Sequence, residues 1–363
     1  MATGDATGLL HRTTRGILTM NADQKHLLFN SFTILLSFLM IASFTGNARA
    51  DLPEDRVADS SRPSIGFNSP SDESQKSAVA PAYVPRYETP LALKHHDHFL
   101  LAQPINYENI FWTTADYRYG YFIKEYGTLH RGLDLPAIEG TPVLASGEGE
   151  VVFSGWGILY GLGAKNDPYG ITVKIRHSLK HEGKIVYTVY SHLEQALVKI
   201  GDRVETGQKI GTVGMTGKTS GPHLHYEVRI LDEDGQRHQN PELWLAPAMD
   251  HGVVTGRIVN RYGYLLNSWK FILTSMQTGR DWVISAYDPE IMQYKEYDPY
   301  YKENYALSDL PAGDYQFSMW YNGVYYTSTI EILPGVVNYV NFNGNRGFEK
   351  CSPPGSADTD FLN

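Results

Sequence analysis

The stretch ITVKIRHSLKHEGKIVYTVYSH, residues 171–192, decides the fold class. From Ile171 to His177 apolar and polar side chains alternate, the period of a strand with one buried face. From Lys184 to His192 the chain is dense in β-branched and aromatic residues, which fit a pleated surface. His181 falls in the turn between them. Outward from this pair the pattern repeats. Val151-Val152-Phe153 follows Gly149-Glu150, HLHYEVRI (223–230) is another strand, and VKIGDRVETGQKIGTVG (198–214) carries Val-x-x-Gly twice, which suits tight hairpins. No segment shows an apolar stripe at helical spacing, so residues 95–248 read as an all-β domain.

A second β region is expected over 252–343. Tyr315, Phe317, Met319 and Tyr321 fall on one face of an alternating run, Asn322-Gly323 supplies a two-residue turn with positive φ, and Val324 to Ile332 returns. This predicts a small antiparallel β-sandwich. Residues 344–363 read as a disordered tail, and 51–94, rich in Pro, Ser and charge, as a disordered linker. Ahead of it, the apolar run from Leu27 to Phe44 and then Ala48-Arg49-Ala50 form the pattern of a cleaved signal peptide over 1–50. The mature chain would begin at Asp51, leave the cytoplasm and keep no membrane span.

Composition narrows the function. With 40 acidic against 31 basic residues and no Lys/Arg cluster, nucleic-acid binding has no electrostatic support. The 34 Gly, 19 Pro and 25 Tyr agree with a turn-rich β protein. Cys351 is the single cysteine, which rules out an internal disulfide and a cysteine-based metal site. Any metal must therefore use histidine and carboxylate.

Two clusters offer such ligands. His130-Arg-Gly-Leu-Asp134 places an imidazole and a carboxylate on one face if extended, with Gly132 allowing a sharp adjustment between them. His223 and His225, two apart on a strand, also point the same way. Two His nitrogens and one Asp oxygen suit Zn²⁺ and leave a fourth position open, as catalytic sites do. His96-Asp-His98 reads as a solvated pair beside the linker. His177 reads as a satisfied strand-end histidine and His181 as a solvated one. HEGK (181–184) lacks the second histidine of HExxH, so a helical zinc motif is absent.

GTLHRGLD (127–134), YSHL (190–193) and GKTSGPHLHYEVR (217–229), in this order and spacing, resemble the lysostaphin/LytM-type zinc endopeptidases. The resemblance covers about Tyr117 to Trp244. It implies a flattened antiparallel β-barrel or sandwich as catalytic domain and one Zn²⁺ per chain on His130, Asp134 and His225. It also implies His192 and His223 as the catalytic histidines, and the peptide of peptidoglycan as substrate of a secreted, monomeric hydrolase. Which of His192 and His223 acts as general base stays open. Lys218-Thr219-Ser220 departs from the family's residue order without touching a ligand, and Gly157–Tyr169 adds residues that would reshape the rim of the cleft. Glu227, on the same strand face, would either orient a ligand histidine or pair with Arg229 or Arg131.

Three rivals stand beside this reading. A carrier or binding module would need an exposed lysine at a hairpin tip, and none is present. A non-catalytic regulator of another wall hydrolase would lack zinc ligands. A secreted peptidase acting on proteins would share the whole ligand set.

Overall fold

The computed structural model describes residues 88–358, apart from 90, 92, 95, 112–114, 124–126, 234 and 289–296. These residues fall within one compact unit, Lys76–Asn363. The leader expected over 1–50 and nearly all of the linker expected over 51–94 lie outside them. Among the described residues no helix is long and apolar enough to cross a membrane, and the helices are short 3₁₀ turns.

The first sheet is built on β1 (Leu133–Pro136), β2 (Gly149–Trp156), β3 (Ile171–His181), β4 (Lys184–Ala196), β5 (Lys209–Val213), β6 (His223–Asp232) and β7 (Gly235–Gln239). Its order is β7-β6-β4-β3-β2, with β1 also on β6 and β5 also on β4, and the pairs are antiparallel. The alternation seen in sequence buries Val173, Ile175, Val186, Val189, Leu224 and Val228 completely. Each such aliphatic side chain contributes about 1.5–3 kcal/mol when removed from water. β3 runs on to His181, so that histidine ends the strand, and Glu182-Gly183 makes the turn with positive φ at both residues.

The second region holds β8 (His251–Gly256), β9 (Lys270–Ser275), β10 (Asp281–Ser285), β11 (Tyr305–Pro311), β12 (Gly313–Tyr321), β13 (Val324–Ile332), β14 (Val337–Asn343) and β15 (Gly347–Lys350). Strands β10-β9-β12-β13 form one sheet. Strands β14-β8-β11, with β15 on β14, belong to another. Phe271, Tyr305, Tyr315, Phe317 and Phe342 meet in a core between them. Asn322 (φ 49°) and Gly323 (φ 79°) form the β12–β13 turn, as Asn-Gly favours because the right-handed twist of the strands needs positive φ at both positions.

Two expectations are corrected here. β14 runs parallel to β8, with Val253 opposite Val337, so the sandwich is not purely antiparallel. The turn at Pro334-Gly335 carries the chain from β13 in one sheet into the other, and β14 is therefore free of the hairpin constraint that imposes antiparallel pairing. Residues from 344 on, expected as a tail, carry β15 and a 3₁₀ turn at Pro354–Asp358. Phe348 is buried against Phe271, Phe317 and Phe342, and that burial offsets the ordering of the backbone around it.

The two regions share a core. Phe99, Leu101, Trp244 and Leu245 belong to the same apolar cluster as Val253, Tyr301, Ala306, Val337 and Tyr339. Buried acids line the seam. Asp97 accepts from Tyr301 Oη (2.6 Å) and Val337 N (3.0 Å), and Glu242 accepts from Ser308 N (2.9 Å) and from Arg118.

Candidate metal centre

The register of β6 assembles the site. His225 lies directly opposite Asp134 of β1 on one side and Ser191 of β4 on the other. Residues two apart on a strand share a face, so His223, His225 and Glu227 project together, and Asp134 joins them as a cross-strand partner. Asp134 Oδ1 lies 2.8 Å from His225 Nδ1.

His130 reaches the same point from outside the strand. Its backbone exchanges hydrogen bonds with the 120–121 segment, N–H to Tyr121 O (2.7 Å) and carbonyl from Gly120 N (2.8 Å). Its Nε2 then sits 3.1 Å from Asp134 Oδ1 and 3.0 Å from His225 Nδ1. The intervening Gly132 is required for space: a Cβ there would meet Tyr226 O at 2.6 Å and His225 Cε1 at 2.7 Å. The extended i,i+4 face expected for His130 and Asp134 is thus replaced by a loop that delivers one ligand to a strand carrying the other.

Protons can be assigned to the far side of both imidazoles. His130 Nδ1 faces the Arg118 carbonyl (3.0 Å) and must donate to it; His225 Nε2 donates to Glu227 Oε1 (3.1 Å). Each ring's other nitrogen faces Asp134 Oδ1. Two nitrogens and an oxygen within about 3 Å of one another repel unless a cation, proton or metal, lies among them, and the donor set N, N, O fits Zn²⁺. His130, Asp134 and His225 are the group among the described residues able to hold a metal in this way.

The electrostatics agree. Burial tends to raise the Asp134 carboxyl pKa, but His130 and His225 outweigh it and hold the group well below the usual range. Burial likewise pushes His225 down, yet its hydrogen bonds to Asp134 and Glu227 prevail and raise it to about 9. The point between these carboxylates favours positive charge. Glu227, fully buried, is itself held well below the carboxylate range against its burial by Arg229 and His238. Its second oxygen accepts from Arg229 Nε at 2.6 Å. Both roles weighed for Glu227 are thus present: it orients His225 and pairs with Arg229.

His192 and His223 stand beside this group. Their ring centroids are 4.8 Å apart, and His192 is 5.7 Å from His225. Each donates Nδ1–H to a backbone carbonyl, His192 to Thr216 (2.9 Å) and His223 to Gly221 (2.8 Å), which leaves both Nε2 atoms as acceptors. His223 Nε2 lies 3.6 Å from Asp134 Oδ2. Burial, then the neighbouring His225 and His223, lowers His192 to about 3; burial lowers His223 as well. The five residues each keep 7–9% of their surface, enough to reach a ligand and little enough to exclude most water.

His177, His98 and His181 lie elsewhere. His177 is buried and satisfied by Glu148 O and Thr188 Oγ1, as expected. His98 is not solvated: it is buried, 3.3 Å from Asp298, and packs edge-on to Trp244. His181 is half-buried against Trp244 and His98. The seam between the two β regions, illegible from the local run of residues, covers both.

Residues 128–241 match the family described as Peptidase family M23. This segment is a peptidase family M23 domain. Similar proteins include the peptidoglycan DD-endopeptidase ShyC of Vibrio cholerae, 43% identical over 112 residues, which is 31% of this chain and 22% of that protein. The DD-carboxypeptidase/endopeptidase Mpg of Neisseria meningitidis serogroup B is 38% identical over 128 residues, 34% of this chain and 26% of the relative. The chain thus spans about a quarter of the length of the curated relatives it matches. Among solved structures, the catalytic domain of lysostaphin from Staphylococcus simulans aligns at 32% identity over 34% of this chain and 86% of that one, with a TM-score of 0.29. The M23 domain begins at the short strand before His130 and ends just past β7, so it contains all five residues of the site.

The site also uses groups that carried no sequence signal. The carbonyls of Arg118, Thr216 and Gly221 fix three of the four imidazoles, and any residue type supplies a carbonyl. Tyr169 did carry a weak signal, an aromatic beside Gly170 at the end of the inserted loop.

Proposed function

We propose that the chain is an exported zinc-dependent endopeptidase that hydrolyses peptide bonds in peptidoglycan cross-links. The observation that carries this reading is the convergence of His130 Nε2, His225 Nδ1 and Asp134 Oδ1, with two further Nε2 acceptors at its edge. His130, Asp134 and His225 would hold one Zn²⁺, leaving a position open. Bound zinc supplies Lewis acidity, polarising a carbonyl and easing deprotonation of water at neutral pH. The chain does the rest. One of His192 and His223 accepts the proton of the attacking water at Nε2, while the other stabilises the oxyanion side of the scissile carbonyl when its Nε2 is protonated as well. Their Nδ1–carbonyl bonds hold Nε2 of both rings free to take a proton. His223 Nε2 lies 3.6 Å from Asp134 Oδ2 and the two rings are 4.8 Å apart, so both would reach one peptide group bound beside Asp134.

The substrate class comes from the relatives' names, and export from the leader-like pattern at 27–50. A binding module leaves the five-residue convergence without a purpose, and a non-catalytic regulator does not need it. The test is digestion of purified wall sacculi by the zinc-loaded full chain, with new amino and carboxyl ends identified by mass spectrometry. Fresh ends within the cross-link peptides, abolished by a chelator and restored by zinc, are expected. Intact sacculi despite stoichiometric zinc would overturn the substrate; hydrolysis undiminished after zinc removal would overturn the mechanism.

A further inference from the structure

Tyr169 closes the inserted loop between β2 and β3, and it touches both halves of the site without being one of the five residues. Its hydroxyl donates to Glu227 Oε1 at 2.6 Å. That same oxygen receives His225 Nε2–H, while Oε2 is taken by Arg229. The carboxylate is therefore fixed in rotation by three donors. The Tyr169 ring stands edge-on to the His225 imidazole, centroids 5.5 Å apart at 88°. Its backbone carbonyl accepts the amide N–H of His192 at 2.9 Å. His192 has φ 61°, a left-handed conformation that a β-strand residue adopts only when its surroundings impose it.

The loop bearing Tyr169 is itself secured. Asp167 Oδ1 accepts from Tyr169 N (2.9 Å), and Oδ2 from Leu159 N (2.7 Å) and Tyr160 N (3.0 Å). Lys218 N donates to Pro168 O (2.8 Å), joining this loop to the one that precedes His223. A tyrosine that only filled space would not need its hydroxyl on a buried carboxylate shared with a ligand imidazole.

We propose that Tyr169 is a positioning residue for the metal centre. Its hydroxyl fixes the Glu227 carboxylate that orients His225, and its carbonyl fixes the backbone of His192. The inserted loop thereby sets the geometry of a ligand and of a proton-handling histidine together. The proposal rests on the reading of His130, Asp134 and His225 as zinc ligands.

The experiment compares the full chain with Tyr169→Phe, Glu227→Gln and the double variant. Zinc affinity is measured by competition with a chelator, geometry by the visible spectrum of the Co²⁺-substituted protein, and folding by thermal unfolding of the zinc-free form. Partners that orient metal-bound histidines typically contribute about 10–100-fold in metal affinity. Glu227→Gln should fall in that range, and Tyr169→Phe, one bond further out, should lose about tenfold at most, with a shifted Co²⁺ spectrum and zinc-free unfolding that stays cooperative at a modestly lower temperature. The double variant should be no weaker than Glu227→Gln, because the hydroxyl acts through the carboxylate. A Tyr169→Phe chain with parental zinc affinity and Co²⁺ spectrum, or losses that add fully in the double variant, would overturn the proposal while leaving the ligands in place. A parent chain that takes up no zinc would remove the ligand reading, and the proposal with it.

Discussion

His96-Asp-His98 and His223-Leu-His225 are the same motif in sequence and opposite in structure. Around His98, each buried acid has donors from the protein: Asp97 has Tyr301 and Val337, and Asp298 has the amides of Tyr300 and Tyr301, with His98 Nε2 3.3 Å from its other oxygen. Around His225, two imidazole nitrogens and a carboxylate oxygen crowd to within 2.8–3.1 Å of one another. Acids hydrogen-bonded to the protein at the seam join two β regions; two nitrogens and an oxygen facing one another at the cleft call for a cation. Burial alone does not separate them, since His98 is as buried as His225. What separates them is where the protons go.

The comparison breaks most sharply at the ligands. His225→Ala should purify without zinc and without activity, because two protein ligands remain of three. His98→Ala should keep stoichiometric zinc and lose stability instead, by about 1–3 kcal/mol, since it removes a buried ring that packs on Trp244 and stands beside Asp298. Metal content per chain beside a denaturant unfolding curve reads both. If His98→Ala loses its zinc, or His225→Ala keeps it, the two pairs are not the different devices described.

The next effect divides the cleft itself. His223→Ala and His192→Ala should retain zinc near one per chain yet lose about 10²–10⁴-fold in turnover of a defined cross-link peptide, the usual contribution of a general acid or base. His130→Ala and Asp134→Ala should follow His225→Ala. Zinc loss from His223→Ala would place it among the ligands.

How much of this was legible follows from range. The strands, the shared face of His223, His225 and Glu227, and the Asn322-Gly323 turn depend on residues within a few positions, and alternation reveals them. The register that sets Asp134 opposite His225 spans 91 positions, and only the resemblance pointed to it. The seam was not legible, because Asp97, His98 and Glu242 read as ordinary surface polar residues until Tyr301, Val337 and Ser308 arrive from elsewhere in the chain. The positive φ of His192 likewise has no local cause; it is imposed by Tyr169 O and Thr216 O. Phe348 was lost in what looked like a tail because one aromatic makes no pattern.

The seam gives the third effect. Ending the chain after Ala248 removes Val253, Tyr301, Ala306, Val337 and Tyr339 from the cluster that contains Phe99, Leu101 and Leu245. It also strips Glu242 of its Ser308 donors. Such a truncation is expected to aggregate or bind an apolar dye, read by light scattering and fluorescence. The full-length Glu242→Ala, which leaves Arg118 in a buried site without its carboxylate, should cost about 3–5 kcal/mol in a denaturant titration. A soluble, cooperatively unfolding 95–248 fragment that binds one zinc would make the seam an accessory and the catalytic domain independent.

The smallest effect is a pH dependence confined to the seam side. Glu303 is fully buried; Oε1 accepts from Tyr287 Oη (2.8 Å) and Oε2 from Asp298 N (3.0 Å). Burial, then the charge of nearby Asp298, raises its pKa to about 8. An acid whose folded pKa exceeds its unfolded one binds more protons when folded, so stability falls as pH rises between the two values. The contribution is fully present below about pH 4.5 and is lost as pH climbs toward 8, with a slope of at most about 1.4 kcal/mol per pH unit for one group. Glu303→Gln removes the titration while keeping the shape: the amide oxygen can accept from Asp298 N and the amide nitrogen can donate to Tyr287 Oη. Unfolding free energies of the parent and Glu303→Gln chains, measured in zinc-free buffer from pH 5 to 8.5, should diverge with rising pH, the variant declining less. Parallel curves would mean that Glu303 is already charged at pH 5, and that the seam holds its acids by hydrogen bonds to the anion in the way the cleft holds Asp134.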